Sequence, residues 1–240
     1  MTAKDMFSHR VSILTGHYGT GKTEVSVNLA LALAAEGEQV MLADLDIVNP
    51  YFRSRERRPL LEKAGVRVIS SSQACSDADV PALPAELLTI LENREIRGIL
   101  DIGGDPVGAR VLARFQPKIV QEDYQLIFVL NANRPEVRDA ESAAAYLRSI
   151  EAVTGLTCSG LVNNTHLCGE TTPAEIRKGA ALAQEVSRQT GIPILCHTAE
   201  RRFLESLSDL GEPVFPIAIN MKKPWERCLR GRKKGGILQP

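Results

Sequence analysis

No apolar run in this 240-residue chain approaches the roughly 20 residues a helix needs to cross a bilayer, which excludes an integral membrane protein of the helical kind. Nor does the chain carry a net charge. Its 29 acidic and 29 basic residues cancel, so no overall field draws it to nucleic acid or to an anionic membrane, and only a local patch could. The five cysteines, Cys75, Cys158, Cys168, Cys196 and Cys228, contain no C-x-x-C pair, and no secretory leader is evident. A reduced, cytoplasmic setting is the expectation. Internal repeats, low-complexity tracts and linkers are missing as well, leaving residues 1–221 as one domain. From Lys222 onward Lys223, Arg227, Arg230, Arg232, Lys233 and Lys234 crowd together, and 222–240 reads as a basic, flexible tail.

What the chain does have is Gly16-His17-Tyr18-Gly19-Thr20-Gly21-Lys22-Thr23, the spacing G-x-x-x-x-G-K-T of a phosphate loop. Its glycines let successive backbone N–H groups curl around a β-phosphate, Lys22 reaches the β/γ oxygens, and the Thr23 hydroxyl faces Mg²⁺. The flanks agree with that reading. Arg10–Thr15 is a short β-rich run, and Thr23–Glu36 has Val25, Leu29, Ala32 and Leu33 on one helical face. Phosphates delivered there meet a helix N-terminus, whose dipole favours negative charge. Residues 16–23, with Glu24 directly after them, form the candidate nucleotide-binding set.

Strand-like runs then alternate with helical patterns, as a largely parallel sheet covered on both faces requires. The runs are Gln39–Ala43, Val66–Ser70, Arg97–Leu100, Tyr124–Leu130, Ser159–Val162 and Ile192–Leu195. Helical patterns fall at Pro81–Asn93, Val107–Phe115, Val137–Ala152, Pro173–Gln189 and Arg201–Leu207. The expected fold is α/β, a three-layer P-loop NTPase architecture with a mostly parallel central sheet between helices. Ligands of such sheets bind at the strand C-termini.

Two acidic elements fall at that edge: Asp44-Leu45-Asp46 after the second strand and Asp101-Ile102-Gly103-Gly104 after another. A strand-end carboxylate beside a phosphate loop suits metal binding through water, so Thr23, Asp44 and Asp101 are the candidate metal residues. Asp46 is placed to orient or deprotonate an attacking water, and with Lys22 forms the candidate catalytic pair. Gly104 would let its loop bring a backbone N–H to a γ-phosphate.

On these motifs, and on the segment Asn131–Asp139, the chain resembles the MinD/ParA-type P-loop ATPases of the CobQ/CobB/MinD/ParA nucleotide-binding superfamily over most of its length. The resemblance implies ATP as nucleotide, Mg²⁺ as cofactor, Asp46 as the switch I aspartate, Asp101 as the Walker B carboxylate, and slow hydrolysis under a partner's control. It also implies a homodimer that forms with nucleotide. One departure bears on that dimer. Loops of this family usually carry a second lysine directly after the first glycine, reaching into the facing subunit, and here that residue is His17. An imidazole does not simply replace a fixed charge.

The N-K-x-D of a GTP-specific domain is missing; Leu161-Val162-Asn163-Asn164-Thr165-His166 stands in its place, with Asn163 the candidate base contact through its amide. Adenine is favoured. The stretch Ile47–Arg58, holding Arg53, Arg55, Arg57 and Arg58 with Tyr51 and Phe52, suits an anionic client or a solvated helix start equally. His166 and Cys168 are close enough to share a metal, while Cys158 stands farther off. The functional expectation is an Mg²⁺-dependent ATP-binding protein and slow ATPase acting as a switch on a client, protein or small molecule. The alternatives are an ATP-dependent small-molecule kinase or ligase, a metallochaperone-like NTPase, and a nucleotide-gated binding module with negligible turnover.

Overall fold

The computed structural model describes residues 1–46, 54–70 and 85–221. Eight strands lie in it: β1 (Val11–Thr15), β2 (Gln39–Leu45), β3 (Arg67–Ser70), β4 (Ile96–Ile102), β5 (Tyr124–Leu130), β6 (Cys158–Asn163), β7 (Ile194–Glu200) and β8 (Val214–Ile217). They form one sheet of order β3-β2-β4-β1-β5-β6-β7-β8, and every neighbouring pair is parallel. All strand C-termini therefore end on one edge. The chain leaves β1 for one side of the sheet and later returns to its other side at β5, so β1 sits where the strand order reverses, the place where such sheets bind ligands.

The helices are α1 (Ala3–Met6), α2 (Lys22–Ala35), α3 (Arg58–Lys63), α4 (Ala85–Glu92), α5 (Pro106–Ala109), α6 (Gln116–Ile119), α7 (Ala140–Thr154) and α8 (Pro173–Thr190). Alternation along the buried strands separates two cores. Ile13, Leu100, Phe128 and Leu130 pack on one face with Ile90 of α4, Leu147 of α7 and Val186 of α8. Leu14, Leu42, Ile99 and Val129 pack on the other with Leu29 and Leu33 of α2 and Leu61 of α3. This is the expected three-layer α/β fold.

Helix ends follow their local chemistry. Asp139 caps α7 by accepting from Ser142 N at 2.9 Å, and Gly155, in the left-handed region at φ 68°, ends it. α8 starts at Pro173 and ends at Gly191, φ 74°. The periodic pattern at 107–115 resolves into α5 and a 3₁₀ segment over Arg110–Arg114, and that at 201–207 into two 3₁₀ turns. α2 departs from a one-sided pattern. Its Glu24 and Asn28 are buried too, because the chain after β8 lies across them. Asn28 donates to Ala218 O at 2.9 Å and accepts from Ala218 N at 2.8 Å, so the amide stands in for a neighbouring strand.

α8 approaches the end of β6 closely enough that a Cβ on Gly179 would lie 2.0 Å from Thr165 Oγ1 and 2.2 Å from Asn163 Oδ1. In an open helix, Gly→Ala gains about 0.5–1 kcal/mol of helix propensity. Here overpacking of about 1–3 kcal/mol wins. Gly179→Ala is therefore expected to lower the urea midpoint of unfolding, and a midpoint equal to or above wild type would contradict this contact.

Candidate functional site

The phosphate loop joins β1 to α2 at the reversal point. It is wound by its own backbone: Thr20 N and Oγ1 both donate to His17 O, at 3.2 and 2.9 Å, and Lys22 Nζ reaches the same carbonyl at 3.3 Å. Gly21 adopts φ 83°, and a Cβ there would fall 2.2 Å from Asn164 Nδ2. Glycine is needed on both counts.

Side chains from two neighbouring strand ends bond to this loop, and a third strand, β7, supports one of them. Past β5, Asn131 Nδ2 and Arg134 Nε both donate to Gly19 O, at 3.4 and 2.8 Å. Past β6, Asn164 Nδ2 donates to Thr20 O at 2.7 Å, and its Oδ1 accepts from Thr198 of β7 at 2.5 Å. Sequence reasoning did not find Arg134 or Thr198. The available signal was the recurrence of polar residues at successive C-termini of a parallel sheet.

Inside the cradle, charge is concentrated and dry. Asp44 and Asp101 sit opposite each other in the β2–β4 register, and both are buried, as is Asp46. Burial first and the Asp44 charge second push the Asp101 carboxyl up to about 8, against the pull of Lys22. Neither Asp101 oxygen has a geometric hydrogen-bond partner among the described residues, so Thr23, whose hydroxyl favours the ionised carboxylate, acts only loosely. Lys22 is also buried, and desolvation lowers its pKa while Asp101, Asp46 and Asp105 raise it. An orphaned buried carboxylate beside a threonine hydroxyl and a phosphate cradle is a donor set suited to Mg²⁺, which takes one or two protein ligands and completes its shell with phosphate and water.

The loop after β4 closes over the cradle. Gly104 lies so near that a Cβ would be 2.7 Å from Lys22 Nζ and 3.0 Å from Tyr18 N. The Tyr146 hydroxyl of α7 donates to Gly104 O, and the Tyr18 hydroxyl donates to Asp105. Burial and the Asp105 bond raise the Tyr18 phenol. His17 packs its ring edge-on against Tyr146, centroids 5.0 Å apart, with Nδ1 3.2 Å from Tyr18 O and 3.7 Å from Glu136.

Two candidate binding residues point elsewhere. Asn163 is fully buried: its Nδ2 donates to Ile176 O at 3.0 Å and meets His197 Nδ1 at 3.1 Å, and its Oδ1 accepts from Thr165 N at 3.0 Å. With donors and acceptor committed to the core, the expected base contact is corrected, and the adjacent Asn164 is the one that faces the phosphate loop. Glu24 turns away from the cradle and accepts from Asn220 N at 2.7 Å and Met221 N at 2.9 Å, which makes it an anchor for the chain beyond β8. Burial raises its pKa against those bonds.

The cysteines divide. Cys158 and Cys196 are buried within strands, and burial raises both thiols. Cys168 Sγ lies 3.8 Å from His166 Nδ1, and His166, pushed down to about 4 by burial and by Arg134, is neutral. Among the described residues no group of three His, Cys, Asp or Glu converges as a metal cage. Cys75, Cys228, residues 47–53 of the arginine-rich stretch and the basic tail lie outside the described residues. Of that stretch, Arg58 approaches Glu62 at 3.6 Å across one turn of α3. No described helix is long and apolar enough to cross a membrane.

A parallel sheet with a phosphate loop at its reversal point, a buried lysine and facing strand-end aspartates defines a P-loop NTPase. A family model described as ParA, NUBPL iron-transfer P-loop NTPase, matches residues 6–54. The septum site-determining protein MinD of Helicobacter pylori is 24% identical over 242 residues, spanning 92% of this chain and 88% of its own. The cytosolic Fe-S cluster assembly factor Cfd1 of Emericella nidulans is 36% identical over 95 residues, 40% of this chain and 26% of that protein. These matches support the resemblance to the MinD/ParA-type P-loop NTPases that the motifs carry. Among solved structures, the 54 kDa signal recognition particle protein of Aeropyrum pernix in complex with GDP superposes with TM-score 0.50 at 22% identity, over 77% of this chain and 40% of that one. Cell division protein FtsY of Thermotoga maritima superposes with TM-score 0.52 at 22% identity, over 77% of this chain and 59% of its own. These two carry the fold alone, and this chain spans only about half of each.

The raised Asp101 carboxyl sets a pH dependence. Between about pH 4, where an unfolded aspartate ionises, and about pH 8, the folded chain holds the extra proton, so stability falls as pH rises, by at most about 1.4 kcal/mol per unit. Asp101→Asn is expected to flatten that slope in urea titrations of the metal-free protein at pH 5.5 and 7.5. Parallel slopes for variant and wild type would contradict the assignment.

Proposed function

We propose that the chain is an Mg²⁺-dependent ATP-binding protein and slow ATPase whose nucleotide state acts on a client, with a nucleotide-dependent homodimer as its working form. The observation that carries this reading is the orphaned, buried Asp101 facing Lys22 across an intact phosphate loop, with the Gly104 loop lying against both.

In this reading the N–H groups of the phosphate loop bind the β-phosphate, and Lys22 neutralises charge that develops on the β/γ oxygens. Thr23 directly, and Asp101 with Asp44 through water, would hold Mg²⁺, which when bound supplies further charge neutralisation on those oxygens. Asp46 orients the attacking water. The Gly104 N–H reads the γ-phosphate, and Tyr146 and Tyr18, bonded to Gly104 and Asp105, carry its loss to α7 and to the phosphate loop. The lack of an aspartate after Asn164 favours adenine over guanine.

A metal or Fe-S cargo is a narrower reading of the client. It is supported by the name of the Cfd1 relative, by the description of the matching family model, and by the His166–Cys168 contact, whose imidazole lies close to Gly21.

The test is binding and hydrolysis of ATP and GTP with Mg²⁺, with mass followed by light scattering. Lys22→Ala is expected to weaken ATP binding roughly 10- to 100-fold. Asp46→Ala is expected to spare binding and to lower turnover by roughly 100-fold or more. ATP affinity unchanged in Lys22→Ala would end the phosphate-site reading, and full turnover in Asp46→Ala would remove the water-orienting role.

A further inference from the structure

The phosphate loop touches a second cation besides Lys22. Arg134, four residues past β5, donates from Nε to Gly19 O at 2.8 Å, and its guanidinium lies against the loop so closely that a Cβ on Gly19 would fall 2.5 Å from Cζ. That bond uses one of five N–H donors. Among the described residues Arg134 makes no other hydrogen bond or ion pair, so the Nη edge of the fork has donors to spare. Arg134 is half-buried as a residue, and its charge is felt at His166, where it helps hold the imidazole neutral. Pro135 and the 3₁₀ turn Pro135–Val137 follow at once, and Ala132 N donates to Thr165 Oγ1 at 3.0 Å, so the backbone that presents Arg134 is tied down on both sides.

His17, which stands where related loops place a lysine, supplies no comparable charge. Its side chain is only 17% exposed, and its ring is packed sideways on Tyr146 beside Glu136. The loop therefore has one buried lysine facing several carboxylates, and one arginine with no ion pair among the described residues. A nucleoside triphosphate brings about four negative charges, and guanidinium matches phosphate oxygens through paired N–H donors.

We propose that Arg134 is an intrachain phosphate-binding residue: held on Gly19 O through Nε, it gives its remaining donors to the phosphates of the bound nucleotide and supplies from within the same subunit the fixed positive charge that His17 does not. The proposal rests on the phosphate-site reading above. It places the second cation on the loop after β5 instead of on the phosphate loop, and it frees the phosphate site from needing a facing subunit's charge.

Arg134→Gln keeps an N–H donor for Gly19 O and removes the charge, so it separates phosphate binding from loop support. Fluorescent ATP-analogue titrations of wild type, Arg134→Gln, Arg134→Lys and Lys22→Ala, with thermal melts of each, test the idea. Arg134→Gln is expected to melt with wild type, to bind about 10- to 100-fold more weakly, and to show a shallower dependence of log Kd on log salt. Arg134→Lys is expected to recover part of the affinity, and millimolar guanidinium ion to recover part of it in Arg134→Ala. Wild-type affinity and salt slope in Arg134→Gln, beside a weakened Lys22→Ala, would overturn the proposal alone. Unchanged binding in Lys22→Ala would overturn the phosphate-site reading beneath it. Mixing Arg134→Gln with Lys22→Ala subunits tests the intrachain claim: hydrolysis stays low if the arginine serves its own subunit, and its return would overturn that claim by showing action across a dimer.

Discussion

A lysine ammonium held out of water at the start of α2 is the constraint around which the site is arranged. Burial disfavours its charge, and the facing aspartates act against that. Asp101 and Asp46 come from strand ends that the parallel sheet brings to the same edge, with Asp105 on the loop after β4, and Asp44 is paired in register with Asp101. The arrangement is itself unbalanced. With Asp101 buried, unpartnered and raised, the cradle holds more acid than it can keep ionised, which is the electrostatic condition for taking up a cation together with a polyanion.

Positioning depends on a second layer of polar contacts. Asn131, Arg134 and Asn164 reach the loop from two strand ends and fasten carbonyls that no helix or strand would satisfy, and Thr198 of β7 holds Asn164 in place. The Gly104 loop, by contrast, is fastened through two tyrosine hydroxyls. Single side-chain bonds of this kind cost less to break than a strand ladder.

Much of the sheet was legible because parallel strands buried on both faces are continuous apolar runs, as in Tyr124–Leu130. The exceptions have reasons. β8 is four residues long and contains Pro216, tolerated because it is the edge strand. β7 runs on past its apolar start through His197, Thr198 and Glu200, whose polarity breaks the apolar run even though Thr198 favours a strand. Thr198 is buried because Asn164 accepts its bond, and His197 because Asn163 and Glu212 partner its ring.

The sequence by itself determined the phosphate loop, the aspartates at the strand ends and the α/β architecture, because each depends on residues near one another in the chain: glycine spacing, apolar runs, caps. Tertiary structure alone decided which asparagine faces the loop, that Glu24 anchors the C-terminal segment, that Gly104 lies on Lys22, and that Arg134 reaches Gly19. Those outcomes depend on partners far apart in the chain, such as Asn164 and Thr20 or Met221 and Glu24. For a polar side chain the difference between an inward and an outward turn is set by which distant backbone groups need a bond, and no local pattern encodes that.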